Sequence, residues 1–167
     1  MRKTGLLATA IVLGATIGSV NLTVAADSGS SPPPPPPPSG RNGGQMQEEF
    51  LSGYRLAHAL IYDKGDYAAG IAVLRALGHD EHPDVATTIG YASRKLGRYD
   101  DAKYWYDKAL AADPKHATTL SYYGMWHAEQ GNLLKAKDEL EQVRLVCGTG
   151  CEPYKQLKAV IDGTATY

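Results

Sequence analysis

The feature that most restricts the fold of this chain is a pattern that recurs three times between residues 51 and 148. Each copy contains two runs of apolar residues at the three- and four-residue spacing of a helix, separated by a glycine. The separating glycines are Gly65, Gly97 and Gly131, which lie 32 and 34 residues apart. A period of this length, holding two helices and a short turn, predicts a stack of helix pairs in which each pair buries its apolar face against the next.

Small residues mark the positions where the two helices of one copy should cross closely. A larger side chain at such a crossing would force the helices apart. The crossing residues are Gly90 and Ala102 in the second copy, and Gly124 and Ala136 in the third. In the first copy His58 and Gly70 stand at these positions, so its packing departs from the template. The copies are assigned to residues 51–82, 83–116 and 117–148.

These residues resemble the motif of the tetratricopeptide-repeat family. The second copy carries most of the motif: Ile89, Gly90, Gly97, Tyr99, Ala102, Tyr106, Ala109 and Pro114. The resemblance covers about 100 of the 141 residues that follow the predicted signal peptide. It implies an all-α fold, a right-handed α-solenoid of three helix pairs plus a C-terminal capping helix.

A capping helix is predicted at residues 152–162, because a stack of repeats needs a last element with a polar outer side. Tyr154, Leu157 and Val160 recur there at helical spacing, and Gly163 should end the helix. The domain would then span residues 46–163, followed by a tail at 164–167. The stretch CGTGCEPYKQLKAVI also resembles the C-terminal tails of small exported bacterial members of the family.

Two segments precede the predicted domain. Residues 1–26 have a basic start and an uncharged apolar run that ends in Val-Ala-Ala, which predicts a secretory signal peptide cleaved after Ala26. An uncleaved membrane anchor is the alternative. Residues 27–45 contain seven consecutive prolines between Gly- and Ser-rich flanks and predict a disordered linker that acts as a spacer. We therefore expect the protein to be exported and to be periplasmic or secreted, with membrane contact only through an uncleaved signal segment.

The two cysteines, Cys147 and Cys151, could form a redox site, a metal site or a disulfide. Redox catalysis usually uses Cys-x-x-Cys at the start of a helix, and neither cysteine has a neighbouring histidine in sequence to complete a metal site. Export into an oxidising space makes a disulfide the expected state of a lone pair. Residues four apart at a helix end can reach the Cα separation of about 4.4–6.8 Å that a bridge requires.

Catalytic motifs are absent from the sequence. It has no Gly-x-Ser-x-Gly, no phosphate-binding glycine loop and no His-Glu-x-x-His. The run His-Asp-Glu-His-Pro at residues 79–83 could hold a metal, but it lies where a polar loop between two repeats is expected. We expect no enzyme activity, no cofactor and no bound metal. Removing Arg2 and Lys3 with the signal leaves 15 basic against 18 acidic residues, which gives nucleic acid binding no support.

The resemblance implies that a peptide or protein segment binds in a concave groove lined by the first helix of each pair. Carrying the family's groove positions onto this sequence gives Arg55, Tyr62, Thr87, Tyr91, Arg94, Lys95, Ser121 and Met125. The Asn and Lys set that clamps a C-terminal carboxylate in chaperone-binding members is not reproduced. The groove mixes cations with tyrosines and could hold an acidic or aromatic peptide.

Two functions of different classes follow. The first is an exported, non-catalytic binding module or adaptor that docks a partner of the cell envelope in this groove. The second is an exported metal-binding or thiol-redox protein that uses Cys147, Cys151 and the histidines. The sequence indicates neither the identity of the partner nor the oligomeric state.

Overall fold

A computed structural model describes residues 43–166 of the chain, and all structural statements concern these residues. They form seven helices and no strand: α1 (Gly43–His58), α2 (Tyr67–Ala76), α3 (Pro83–Lys95), α4 (Tyr99–Ala112), α5 (Ala117–Glu129), α6 (Leu133–Cys147) and α7 (Glu152–Ile161). A π-helical turn, Ala59–Asp63, extends α1. The predicted signal peptide and all but the last three residues of the predicted linker lie outside the described residues. Within the described part, none of the helices combines the length and apolar character of a membrane span.

The second helix pair shows how local sequence sets the helix ends. Pro83 occupies the first turn of α3, where its missing N–H costs no hydrogen bond, and the His82 side chain accepts a hydrogen bond from the Asp84 N–H. Gly97 has a φ of +74°, a left-handed conformation that reverses the chain between α3 and α4. Gly65 and Gly131 have the same conformation in the other two pairs. The regular spacing of these glycines thus reflects one turn geometry used three times.

The core lies between the helices of each pair and between successive pairs. Tyr106 on α4 is fully buried, and its ring lies where a Cβ atom at Gly90 on α3 would be, which is why that position is glycine. Buried apolar side chains of the first and second pairs form one cluster. Its fully or nearly fully buried members are Ala57, Ile61, Leu74, Val85, Ala86, Ile89, Ala92, Trp105 and Ala109.

The first pair begins earlier than the sequence predicted. Helix α1 starts at Gly43, inside the segment assigned to the linker and eight residues before the predicted start of the first repeat. It ends in a π-helical turn that brings Ile61 over Gly70 on α2, where a Cβ atom would collide with the Ile61 side chain. Gly70 therefore allows the two helices of the first pair to cross closely, as Ala102 and Ala136 do in the other pairs.

Helix α7 covers the last pair. The fully buried Leu157 side chain lies against Gly124 of α5, and the Ser121 hydroxyl donates a hydrogen bond to the Pro153 carbonyl at 2.8 Å. A disulfide joins Cys147, the last residue of α6, to Cys151, which precedes α7, with a Cα–Cα distance of 5.9 Å. The cap is thus attached by one covalent bond at its start and by apolar packing along its length.

We expect Cys147→Ser to lower the free energy of unfolding by about 2 kcal/mol, the chain-entropy value for so short a loop. The fold should persist, because the Leu157 and Ser121 contacts of α7 remain. Hydrogen exchange of the amides in α7 should become faster, while exchange in α3 and α4 stays the same. Cys151→Ser should match the first variant, since both lose the same bond. Unchanged unfolding and unchanged exchange in α7 would contradict this role of the disulfide.

Candidate functional site

Three tyrosines from different repeats meet on the surface formed by the first helices of the pairs. Tyr62 lies in the turn that extends α1, Tyr91 lies on α3 and Tyr122 lies on α5. The ring centroids of Tyr62 and Tyr91 are 4.9 Å apart and nearly parallel, at 19°. Those of Tyr91 and Tyr122 are 5.4 Å apart. We call these three residues the tyrosine row and the surface along it the groove.

His58 continues this stack at the α1 end, with its ring 4.3 Å from that of Tyr62. Because the rings are stacked on one another, their faces are largely occupied. The row therefore presents ring edges and hydroxyl groups outward, which suits hydrogen bonds to a peptide backbone better than stacking on an aromatic ligand.

Burial raises the pKa of two tyrosines of the row. It raises the pKa of Tyr62 well above its ordinary value, and the neighbouring Tyr122 raises it further. The pKa of Tyr91 is raised as well, first by burial and then by Tyr67 and Tyr122. Both phenols are thus neutral at physiological pH, and each O–H can donate and accept hydrogen bonds.

Two cations flank Tyr91 from α3. The Arg94 guanidinium carbon and the Lys95 Nζ each lie 5.8 Å from the centre of the Tyr91 ring, within the range of a cation–π contact. Arg94 is only 3 % exposed; its Nε lies 3.5 Å from a Glu129 carboxylate oxygen and its Nη1 donates to the Tyr122 carbonyl. Arg94 thus joins α3 to α5, whereas Lys95 is exposed to solvent.

The eight residues predicted to line the groove divide into two sets. Arg55 and Lys95 are exposed, and Tyr62 and Tyr91 are half-buried, so these four can contact a partner. The prediction is wrong for the other four, which are buried and not open to a partner: Thr87, Arg94, Ser121 and Met125.

The reason is that neighbouring first helices pack closely and use these side chains to join one another. The Thr87 hydroxyl lies within hydrogen-bond distance of the Thr119 hydroxyl, which connects α3 to α5. Ser121 connects α5 to α7 through the Pro153 carbonyl. Positions that line an open surface in the general family pattern are therefore structural contacts in this chain.

Sequence reasoning missed Tyr122, His58 and Gln156 as groove residues. Part of the signal was present, because Phe50, Tyr54, His58 and Tyr62 follow one another at four-residue intervals and so share one face of α1. Tyr122 had no such signal, since it occupies a different position in its repeat from that of Tyr91.

A hollow of about 390 Å³ lies beside the tyrosine row. Its lining residues are Tyr62, Tyr91, Lys95, Tyr122, Gln156 and Thr166. Gln156 belongs to the capping helix and Thr166 to the tail, so the cap and the tail complete the wall that the repeats begin. The hollow has room for a few residues of an extended chain, with tyrosine hydroxyls, an amide and an ammonium group as polar partners.

The other four histidines and both cysteines are engaged elsewhere. His79 and His82 pack against Phe50, the His116 Nε2 lies 3.0 Å from an Asp84 carboxylate oxygen, and His127 stacks on Tyr123. Over residues 43–166 no group of three His, Cys, Asp or Glu side chains is arranged to hold a metal ion. With both cysteines in the disulfide, this region offers no observation that favours the metal or redox hypothesis.

The fold is similar to that of solved domains that bind peptides. The Yersinia enterocolitica type III secretion chaperone SycD, in complex with a peptide of the translocator YopD, matches with a TM-score of 0.58 and 19 % identity over 71 % of this chain and 96 % of that chain. The second tetratricopeptide-repeat domain of human RPAP3, in complex with an HSP70 peptide, also matches. Its TM-score is 0.58, with 17 % identity over 70 % of this chain and 98 % of that chain. At these identities the likeness concerns the fold.

Sequence comparison points to the same family. The chain is 38 % identical over 56 residues to the uncharacterized protein ycf37 of Guillardia theta, a match that spans about a third of that relative's length (32 %). The family model of the tetratricopeptide repeat matches residues 83–116, the range of the second predicted copy. This match shows that the chain contains a tetratricopeptide repeat at residues 83–116. The helix pairs on either side of that range and the likeness to the solved structures show the matching all-helical fold around it.

Proposed function

We propose that this protein is an exported, non-catalytic adaptor that binds an extended segment of a protein partner in the groove along the tyrosine row. The observation that carries the proposal is the convergence of Tyr62, Tyr91 and Tyr122 from three repeats beside an open hollow of about 390 Å³. Side chains from three separate helices converge there on a half-buried surface that offers both apolar edges and hydroxyl groups. Tyrosine is one of the residue types that contribute most to protein interfaces.

The chemistry of the groove suits an extended peptide. The hydroxyls of the tyrosine row and the Gln156 amide can satisfy backbone N–H and C=O groups, while the ring edges contact apolar side chains. Lys95 and Arg55 are exposed cations of the first helices, so they favour a partner segment that carries acidic side chains. The peptides in complex with SycD and with RPAP3 support this mode of binding for the same fold.

The predicted signal peptide at residues 1–26 and the disulfide, a bond typical of exported proteins, support a partner outside the cytoplasm. The proposed site of action is therefore the periplasm or the outside of the cell, with a partner belonging to the cell envelope. The slight acidic excess of the chain argues against nucleic acid as that partner.

The proposal is tested by selecting ligands for the purified full-length protein from a displayed library of random twelve-residue peptides. For the selected peptides we expect Tyr91→Ala to weaken binding by at least about tenfold, because truncation of a tyrosine that is a hot spot near the centre of an interface costs about 2 kcal/mol or more. The dissociation constant is measured by isothermal titration calorimetry.

Tyr104→Ala is the matched control. Tyr104 lies on α4, is the most exposed tyrosine of the three helix pairs, at 60 %, and does not line the hollow beside the tyrosine row. It should leave the affinity unchanged. Both variants are first compared with the unsubstituted protein by circular dichroism. Selected peptides whose affinity is the same for Tyr91→Ala as for Tyr104→Ala would show that the groove is not the binding site.

A further inference from the structure

The residues that follow α7 turn back instead of continuing away from the domain. Gly163 has a φ of +70°, which reverses the chain at the end of the helix. The N–H groups of Thr164 and Ala165 then both donate hydrogen bonds to the Ala159 carbonyl, at 2.9 and 3.2 Å. The Thr164 hydroxyl donates to the same oxygen. The three hydrogen bonds that hold the tail against α7 thus all use one acceptor, the Ala159 carbonyl oxygen.

This reversal brings the tail to the groove. Thr166 lines the hollow beside Tyr62, Tyr91 and Tyr122. Ala165 and Thr166 also line a second hollow of about 330 Å³, together with residues at the end of α5 and with Val160. The tail therefore forms part of the wall of both hollows.

We propose that residues 164–166 are a strap that closes the groove at its α7 end and that a bound partner segment displaces. This inference concerns the regulation of the proposed peptide site and rests on that proposed function. With the strap in place, a peptide has access to the tyrosine row only from the α1 side. With the strap displaced, the two hollows join and a longer segment can cross from Tyr62 to Val160.

The strap is built to move. Each of its residues is exposed to solvent, so none is anchored in the core. Its three hydrogen bonds share the Ala159 carbonyl oxygen, which has only two lone pairs for three donors. Segments with few buried contacts and exposed hydrogen bonds open at a free energy far below that of global unfolding. Opening the strap is therefore independent of the packing of α7, which the buried Leu157 maintains.

The first test needs no ligand. Hydroxyl-radical footprinting of the full-length protein, read by mass spectrometry, is compared with that of a variant lacking residues 164–167. Removal of the strap should raise the oxidation rates of Tyr91 and Tyr122 by about twofold and leave that of Tyr104 unchanged. Equal rates at Tyr91 and Tyr122 in the two proteins would overturn the strap, whatever the groove binds.

The second test uses a peptide from the displayed library whose binding is weakened by Tyr91→Ala. Its dissociation constant should fall at least about threefold on removal of residues 164–167, because the closed fraction no longer competes with binding. An unchanged dissociation constant would overturn the proposal and show that the tail does not affect peptide binding. A higher one would overturn it as well and show that the tail contributes contacts to the bound peptide. If no selected peptide depends on Tyr91, the proposed function fails, and the footprint alone decides whether the strap exists.

The substitution Thr164→Pro provides a check on the deletion. Proline lacks the N–H and the hydroxyl of Thr164, so it removes two of the three hydrogen bonds to the Ala159 carbonyl while keeping the length of the chain. It should reproduce both effects of the deletion. A variant that leaves the footprint and the affinity as they are in the unsubstituted protein would contradict the proposal.

Discussion

Arg94→Glu is expected to destabilise the repeat stack severely, by about 3–5 kcal/mol, and only through that to affect binding. The Arg94 side chain is 1 % exposed, and its Nε lies 3.5 Å from a Glu129 carboxylate oxygen. A glutamate in its place would bring a second negative charge into a buried position between α3 and α5. Urea unfolding followed by circular dichroism measures the loss. The expected result is a lower urea midpoint, or a chain that is unfolded without denaturant.

Lys95→Glu is the matched control, because it changes the charge in the same way at the next residue. Lys95 is exposed, so this variant should unfold within about 0.5 kcal/mol of the unsubstituted protein. The double variant Arg94→Met, Glu129→Gln should recover most of the stability, since it removes both charges together and retains much of the side-chain volume. If Arg94→Glu is as stable as Lys95→Glu, Arg94 does not carry the contact between α3 and α5.

This outcome also determines which substitutions can report on partner binding. A loss of binding in an Arg94 variant would follow from the damaged contact between repeats and would say little about the groove. Lys95 and Tyr91 are suitable instead, because one is exposed and the other is half-buried at the edge of the hollow.

The parts of the fold that depend on local pattern could be predicted from the sequence. The turn glycines, Gly65, Gly97 and Gly131, mark each helix pair because the left-handed turn conformation strongly favours glycine. The capping helix follows from apolar residues at helical spacing after Cys151, and its observed span, Glu152–Ile161, is one residue shorter than predicted. Such features are encoded within a few residues of where they occur.

The candidate site depends on how the repeats are placed against one another, and that is not a local property. The exposure of Thr87 depends on how closely α5 approaches α3, and that of Ser121 depends on how closely α7 approaches α5. A repeat template does not specify these distances. Tyr122 joins the tyrosine row from a different repeat position than Tyr91, so periodicity could not group the two. The tail returns to the groove because the chain turns at Gly163. The sequence predicts that the helix ends at this glycine, but it does not predict the direction in which the chain continues.

A second large effect is expected at Gly90, where α3 crosses α4. A Cβ atom at this position would lie 2.7 Å from Cε1 and 2.8 Å from Cδ1 of Tyr106. The Tyr106 ring is fully buried, with the ring of Tyr123 5.5 Å away centre to centre, so it has little room to retreat. Gly90→Val should therefore lower the free energy of unfolding by about 3 kcal/mol, the upper range of overpacking. Urea unfolding measures the loss.

Alanine at the same position separates the two opposing effects of replacing glycine in a helix. Gly90→Ala gains about 1 kcal/mol of helix propensity and loses about 1–3 kcal/mol to overpacking, so we expect a net loss. Gly124→Ala should also give a net loss, because the new Cβ would lie 2.5 Å from Cδ2 of the fully buried Leu157 and 3.1 Å from Cβ of Glu139. Gly44→Ala, with nothing within 4 Å of the new Cβ, should be neutral or stabilising. If all three alanine variants have the same change in the free energy of unfolding, steric contact at the crossing does not explain why Gly90 is glycine. The packing between α3 and α4 must then tolerate a wider helix separation than the Tyr106 contact implies.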